Sequence, residues 1–191
     1  MTEIIKIRKA TTNDAAQIAQ RMIFAMEDLV EKYLNGKFAL DPIAIFSELI
    51  ETKNNLYSHE NTWVACINHQ LVGTITAYDG ASFETFRAHV FEKLYEQTGF
   101  SSELASETQA GEFYIDTVSV HPDFQRKGIG NQLINTAIDA AIENGFSKIA
   151  LLVETHNLQA KALYLKLGFQ PSSWVELGGT SYEKLVRELP G

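Results

Sequence analysis

Hydrophobic and polar positions switch rhythm several times along the chain. In "EIIKIRKA" (3–10), Ile5 and Ile7 alternate with Lys6 and Arg8, the two-residue period of a half-buried strand. "TTND" follows as a helix-start signal, and Ile18, Met22, Met26, Leu29, Val30 and Tyr33 recur at helical spacing to about residue 34. Asp41 before Pro42 sets an N-cap ahead of proline at the first helical position, opening a second helix that carries Ile45, Phe46, Leu49 and Ile50. "TWVACI" (62–67) and "LVGTITAY" (71–78) flank the short link "NHQ" and predict an antiparallel hairpin.

Residues 80–111 form an insert between the third and fourth strands. Phe83, Phe86, Val90, Phe91, Leu94 and Tyr95 give it an amphipathic helix, and "FSSELASETQAG" after it is polar and loop-like. "EFYIDTVSV" (112–120) predicts a central strand. Ile129, Leu133, Ile134, Ala137, Ile138, Ala141 and Ile142 make a strong helical stripe that ends at "NG" (144–145). "KIALLV" (148–153) is a buried strand and "NLQAKALYLKLG" (157–168) a helix. Two last strands meet at "GG". The order predicts an α/β (α+β) fold: a mixed, mostly antiparallel sheet of about seven strands with helices on both faces. With no linker or repeat in view, residues 1–191 are expected to form one domain.

Composition narrows the function classes. The 191 residues carry a formal net charge of -8. That argues against nonspecific nucleic-acid or membrane binding and mildly favours cationic partners. One cysteine, Cys66, excludes an internal disulfide and suits a reducing compartment; its apolar setting predicts a buried structural role. The start has no apolar signal segment and no run approaches a membrane span, so a cytoplasmic protein is expected.

"HPDFQRKGIG" (121–130) joins the fourth strand to the strongest helix. A strand, a glycine turn with basic residues and a helix start make an anion site, because the first helical N–H groups lack intrahelical partners and the helix dipole adds positive potential. Arg126 and Lys127 add charge. The turn fits neither G-x-x-x-x-G-K-[ST] nor G-x-G-x-x-G, since Leu133 stands where the third glycine belongs. A phosphate-bearing ligand follows from local physics; a ligand-free tight turn is the alternative.

Two motifs decide between them. Gln125, Gly128 and Gly130 match [RQ]-x-x-G-x-[GA], and Asn157, Ala160, Tyr164, Gly168 and Phe169 match N-x-x-[AS]-x-x-x-Y-x-x-x-G-F. With the element order, they make the chain resemble the GNAT superfamily of N-acetyltransferases. The resemblance implies acetyl-CoA as cosubstrate. Its pyrophosphate would rest on the N–H groups of Arg126, Lys127, Gly128, Ile129, Gly130 and Asn131. Its pantetheine arm would pair with Val118, Ser119 and Val120, on a strand edge opened by splaying, often at a bulge. An N–H near Val118 would face the thioester oxygen. Asn157 would touch the cofactor arm, and Tyr164 would protonate the departing thiolate. The helix N-cap and a core aromatic are their ordinary alternatives.

The base is open between Asp116 and Glu112. Both are expected to share the face of Val118 and Val120, and Asp is disfavoured inside strands. Glu154 is a weaker candidate. The five histidines show no metal-ligand spacing, so no metal is expected. If the insert is a lid, Glu84, Glu92 and Glu96 could draw in a cation; otherwise its helix packs on the core. The expected activity is acetyl transfer to a primary amine, on a small molecule or a peptide, by direct attack in a ternary complex. A noncatalytic acyl-CoA-binding module is the alternative. The last strands could join a homodimer interface, though no residue requires it.

Overall fold

The computed structural model describes residues 4–102 and 104–190; Glu3, first in the predicted β1 stretch, lies outside them. The elements in chain order are β1 (Lys6–Lys9), α1 (Ala15–Ala25), α2 (Glu27–Leu34), α3 (Pro42–Glu51), β2 (Thr62–Ile67) and β3 (Gln70–Asp79). Then come α4 (Phe83–Thr98), β4 (Phe113–Val120), α5 (Ile129–Glu143), β5 (Lys148–Glu154), α6 (Leu158–Lys166), β6 (Gln170–Leu177) and β7 (Thr180–Glu188). The strands form one mixed sheet in the order β1-β2-β3-β4-β5-β7-β6, in which only β4 and β5 run parallel. The mixed, mostly antiparallel seven-stranded sheet expected from the pattern is therefore present.

Apolar stripes cover the sheet on both faces. One layer packs Ile18, Met22, Tyr33, Phe46, Phe83 and Leu94 from α1 to α4 over Val64, Tyr78 and Tyr114. The other seats Ile129, Leu133, Ile134 and Ile138 of α5 on Ile75, Ile115, Ile149 and Leu151. Burying a large aliphatic side chain in this way stabilises by roughly 1.5–3 kcal/mol.

The periodicity to residue 34 predicts one helix, but the chain breaks at Met26, whose φ of -136° and ψ of 42° leave the helical region. Glu27 and Asp28 then begin α2, where negative charge is favourable at a helix N-terminus. Buried residues on both sides of the break, Ile18 and Met22 of α1 and Val30 and Tyr33 of α2, still join one core layer. Cys66 is half-buried rather than buried.

Two irregularities in β4 shape the molecule. Thr76 pairs with Thr117 but Ala77 pairs with Ile115, so Asp116 is an extra residue in a bulge. The bulge resets the two-residue period. Tyr114 faces the α1–α4 layer, whereas Val118 and Val120 pack on the α5 layer. Asp116 hydrogen-bonds to Tyr78 of the first layer, and does not share the face of Val118 and Val120 as the unbroken period predicted. Second, the parallel β4–β5 ladder runs only from Phe113↔Ile149 to Ile115↔Leu151. Beyond Ile115, β4 stays with β3 as far as Gly73↔Val120, while β5 stays with β7 as far as Glu154↔Tyr182. The two strands part, leaving an open edge on β4.

Candidate active site

The open edge leads from the bulge to the glycine turn. After β4, Pro122–Phe124 forms a short 3-10 turn, and Gln125 donates from Nε2 to the Val120 carbonyl at 3.2 Å, tying the turn to the strand end. Arg126 (φ 61°) and Gly128 (φ 82°) are both left-handed. A Cβ on Gly128 would meet nothing within 4 Å. The backbone conformation, not lack of room, asks for glycine there. Gly130 lies in the first turn of α5, where a Cβ would make an ordinary 3.6 Å contact with Leu163. Gln132 N donates to Gly128 O at 3.1 Å. The amides just ahead of it belong to the helix start, which supplies no intrahelical acceptors for them. Lys127 Nζ sits 4.7 Å from the Phe124 ring centroid. His121 accepts from the Asp123 N–H at 3.3 Å, holding the turn.

At the other end of the open edge lies a cavity of about 360 Å³. Val118, Asn157 and Tyr164 form one side of it. Asn157 caps α6, accepting from the Ala160 N–H at 3.1 Å. Tyr164 packs edge-on against Phe169 with ring centroids 6.0 Å apart. Burial pushes its phenol up to about 12.

The opposite side is acidic and aromatic. The Tyr78 hydroxyl donates to Asp116 at 2.5 Å, and the Tyr114 hydroxyl donates to Glu107 at 2.7 Å. Burial, then the charge of Glu107, pushes the Asp116 carboxyl up to about 7. Burial raises Glu107 as well, against the Tyr114 hydrogen bond and the charge of Arg87. Two carboxylates in one enclosed space cannot both ionise cheaply, so charge on Glu107 makes Asp116 harder to ionise. Tyr33 and Tyr57, with hydroxyls 3.5 Å apart, extend the wall. Thr117 also lines the cavity; it is 8% exposed, and its Oγ1 is buried without a hydrogen-bond partner.

Glu112 goes elsewhere. It accepts from Lys184 Nζ at 2.7 Å and from Thr108 Oγ1 at 2.8 Å, at the base of β4 and away from the cavity lining. Glu154 lines the cavity at its mouth, 2.9 Å from His156. The insert helix α4 is a packed element, burying Phe83, Val90 and Leu94. Glu84 is bound by Arg87 and Ser106, while Glu92 and Glu96 face a different surface depression. The insert reaches the site through Arg87, Leu104 and Glu107, none of which its helical pattern marks. Among the described residues, no group of three His, Cys, Asp or Glu side chains could hold a metal ion, and no helix is long and apolar enough to cross a membrane.

Solved acetyltransferases share this fold. One crystal structure described as an acetyltransferase superposes with a TM-score of 0.78 at 22% identity, covering 97% of this chain and 100% of that one. An N-acetyltransferase from Staphylococcus aureus Mu50 also gives 0.78, at 19% identity, covering 95% and 99%. At the level of sequence the chain belongs to the acetyltransferase (GNAT) family, whose model matches residues 25–169. It is 26% identical to a mycothiol acetyltransferase of Beutenbergia cavernae over 138 residues, which are 65% of this chain and 46% of that protein. It is 38% identical to the ribosomal protein bS18-alanine N-acetyltransferase of Escherichia coli over 56 residues, 29% of this chain and 38% of that one. The chain thus spans less than half the length of these two relatives.

Proposed function

We propose that the protein is an acetyl-CoA-dependent N-acetyltransferase acting on a primary amine by direct attack. The observation that carries this is the parting of β4 from β5 beside Asp116, on the same strand that ends in the Gly128 turn. The free edge and the turn fit a long thiol ester with a phosphate-bearing end. When bound, acetyl-CoA supplies an activated acyl group.

Each residue then has a stated task. Amides from Arg126 to Asn131 hold the pyrophosphate, and the main chain of Val118, Ser119 and Val120 aligns the arm, with the Val118 N–H facing the acyl oxygen. Asn157 fixes the arm at the start of α6. Asp116 takes the proton the amine sheds. Its position near neutrality suits that work, since it is substantially ionised at pH 7 or above. Glu112, engaged by Lys184, has no part in that transfer.

Tyr164 acts at the sulfur. A phenol raised to about 12 stays protonated throughout the working range. Full transfer to a thiolate of reference pKa ~8.5 would be uphill by roughly 5 kcal/mol. Its hydroxyl therefore stabilises the departing thiolate as a hydrogen-bond donor, without completing the transfer. Replacing Tyr164 by Phe tests the reading. Turnover should drop by roughly 10- to 100-fold while acetyl-CoA affinity holds, since one donor to developing charge contributes about 1.5–3 kcal/mol. Unchanged turnover would remove Tyr164 from the chemistry. A complete absence of CoA release with every amine tried, alongside intact acetyl-CoA binding, would favour an acyl-CoA-binding module.

A further inference from the structure

Resting on that reading, the acceptor half of the cavity carries more information than "primary amine". Its acidic groups come in two tiers. The inner tier is Asp116 of the β4 bulge and Glu107 of the α4–β4 connection, each held by one tyrosine hydroxyl. The outer tier is Glu154 at the end of β5 with Glu27 and Asp28 at the start of α2. Tyr182 of β7 sits between the tiers: its hydroxyl is pushed up to about 12 by burial and by the charges of Glu154, Glu107 and Asp28.

The cations at the cavity are mostly committed elsewhere. Arg87 bridges Glu84 at 2.6 Å and donates to the Leu104 and Ala105 carbonyls. Lys32 donates to the Gly178 carbonyl at 2.6 Å, which latches α2 to the β6–β7 turn over the cavity. His156 pairs with Glu154 at 2.9 Å but is largely exposed. Of the five acidic side chains facing the space, only Glu154 has an ion pair among the described residues, although the charge of Arg87 also acts on Glu107. Independently, the Thr117 hydroxyl beside Asp116 is more than nine-tenths buried and unpartnered, although a buried hydroxyl left so costs about 1–3 kcal/mol. The cavity wall thus has an unused polar group where an acceptor nitrogen would sit. Tyr33, Tyr57 and Leu29 also line the space, giving it aromatic and aliphatic wall.

We propose that the acceptor is a slender dication or polycation, a linear diamine or polyamine, whose reacting nitrogen is seated by Asp116, Glu107 and Thr117 and whose distal ammonium is met by Asp28 and Glu154. An ω-amino acid would set its carboxylate against the outer tier. A lysine side chain would bring a neutral peptide backbone into the space under the latch.

Calorimetry on the full chain saturated with CoA, near pH 8, tests this with 1,4-diaminobutane, n-butylamine and 4-aminobutanoate. The diamine should bind at least ~10-fold tighter than the monoamine, about 1.4 kcal/mol, and 4-aminobutanoate more weakly than either. Asp28→Asn combined with Glu154→Gln should collapse the diamine-to-monoamine ratio towards one. Glu107→Gln should weaken both amines, and Glu92→Gln, on another surface, should preserve the ratio. Equal affinity for diamine and monoamine, or tighter binding of 4-aminobutanoate, would overturn the inference. Because the outer-tier variants lie near the surface, they keep the test decisive even if Glu107→Gln folds poorly. CoA release over the same panel, with a lysine peptide added, separates the two readings. Diamine binding without release would sink the transferase and leave the seat. Faster release with the peptide would sink the diamine and leave the transferase.

Discussion

The two ends of the cleft are built in different ways. The end proposed for the donor is made of main chain: an unpaired strand edge, a turn with two left-handed residues and the first amides of α5. The end proposed for the acceptor is made of side chains from α2, the α4–β4 connection, β4, β5 and β7, which are far apart in sequence. A backbone device needs a short contiguous segment and little side-chain identity beyond glycine. A side-chain device needs long-range convergence and can be re-specified one residue at a time. One fold can thus keep its donor chemistry while its acceptor changes.

The largest test of this contrast lies at the acceptor end. Asp116→Asn should lower kcat by about 10²–10³-fold with acetyl-CoA affinity unchanged, as expected for loss of a general base. The same variant should be more stable than the parent at pH 8 and gain little at pH 4. The folded-state pKa is raised above the unfolded ~3.9, so the folded protein binds the proton more tightly and stability falls as pH rises from about 4 through 7. Chemical denaturation at the two pH values checks this, and equal shifts at both would refute it.

At the donor end, Gly128→Val should weaken acetyl-CoA binding by about 100-fold or more, roughly 2.7 kcal/mol, because a β-branched residue resists positive φ. Lys127→Ala should cost less than about 5-fold, in line with a charge that assists a backbone site. The reverse ranking would mean that side chains, not amides, hold the phosphates. A subtler effect joins the two carboxylates. The fall in kcat/KM on the acid side should centre near pH 7, and Glu107→Gln should move that midpoint down, since Glu107's charge raises Asp116. A stationary midpoint would disconnect the pair. Smallest of all, Glu92→Gln with Glu96→Gln should leave the amine KM within about twofold, because both side chains lie outside the cavity.

What could be read beforehand follows the same division. The devices proposed for the donor end are local: Asn157 ahead of "LQAKAL" and the Gln125–Gly130 turn sit where their neighbours predict, as does the "NG" that closes the far end of α5. The bulge at Asp116 is not local. It depends on how β3 and β4 register, and a period of two carried past it puts Asp116 on the wrong face. Met26 is a good helix former, so its own preference does not mark the break. Glu107 lies in a polar stretch without periodicity, and the pattern singles out Glu112, at the start of the predicted strand, instead. Only folding reveals that one carboxylate meets Tyr114 and the other Lys184. An aspartate inside a largely apolar strand was the signal the pattern did carry, and it marks the residue proposed as the base.

The short parallel ladder has a mechanical consequence. β3 holds β4 from Gly73↔Val120 to Asp79↔Phe113, and β7 holds β5 from Lys148↔Glu188 to Glu154↔Tyr182, whereas β4 and β5 share only three residue pairs. Apart from the two helix layers packing across it, that junction is the seam along which the sheet has the fewest paired residues. Amide hydrogen exchange should find two cooperative units on either side, with the β5 amides beyond Leu151 opening more readily than those of β3. A cosubstrate lying in the gap would stitch the units together. Its binding should slow exchange on both flanks at once, making the empty protein a two-part body and the loaded one a single part.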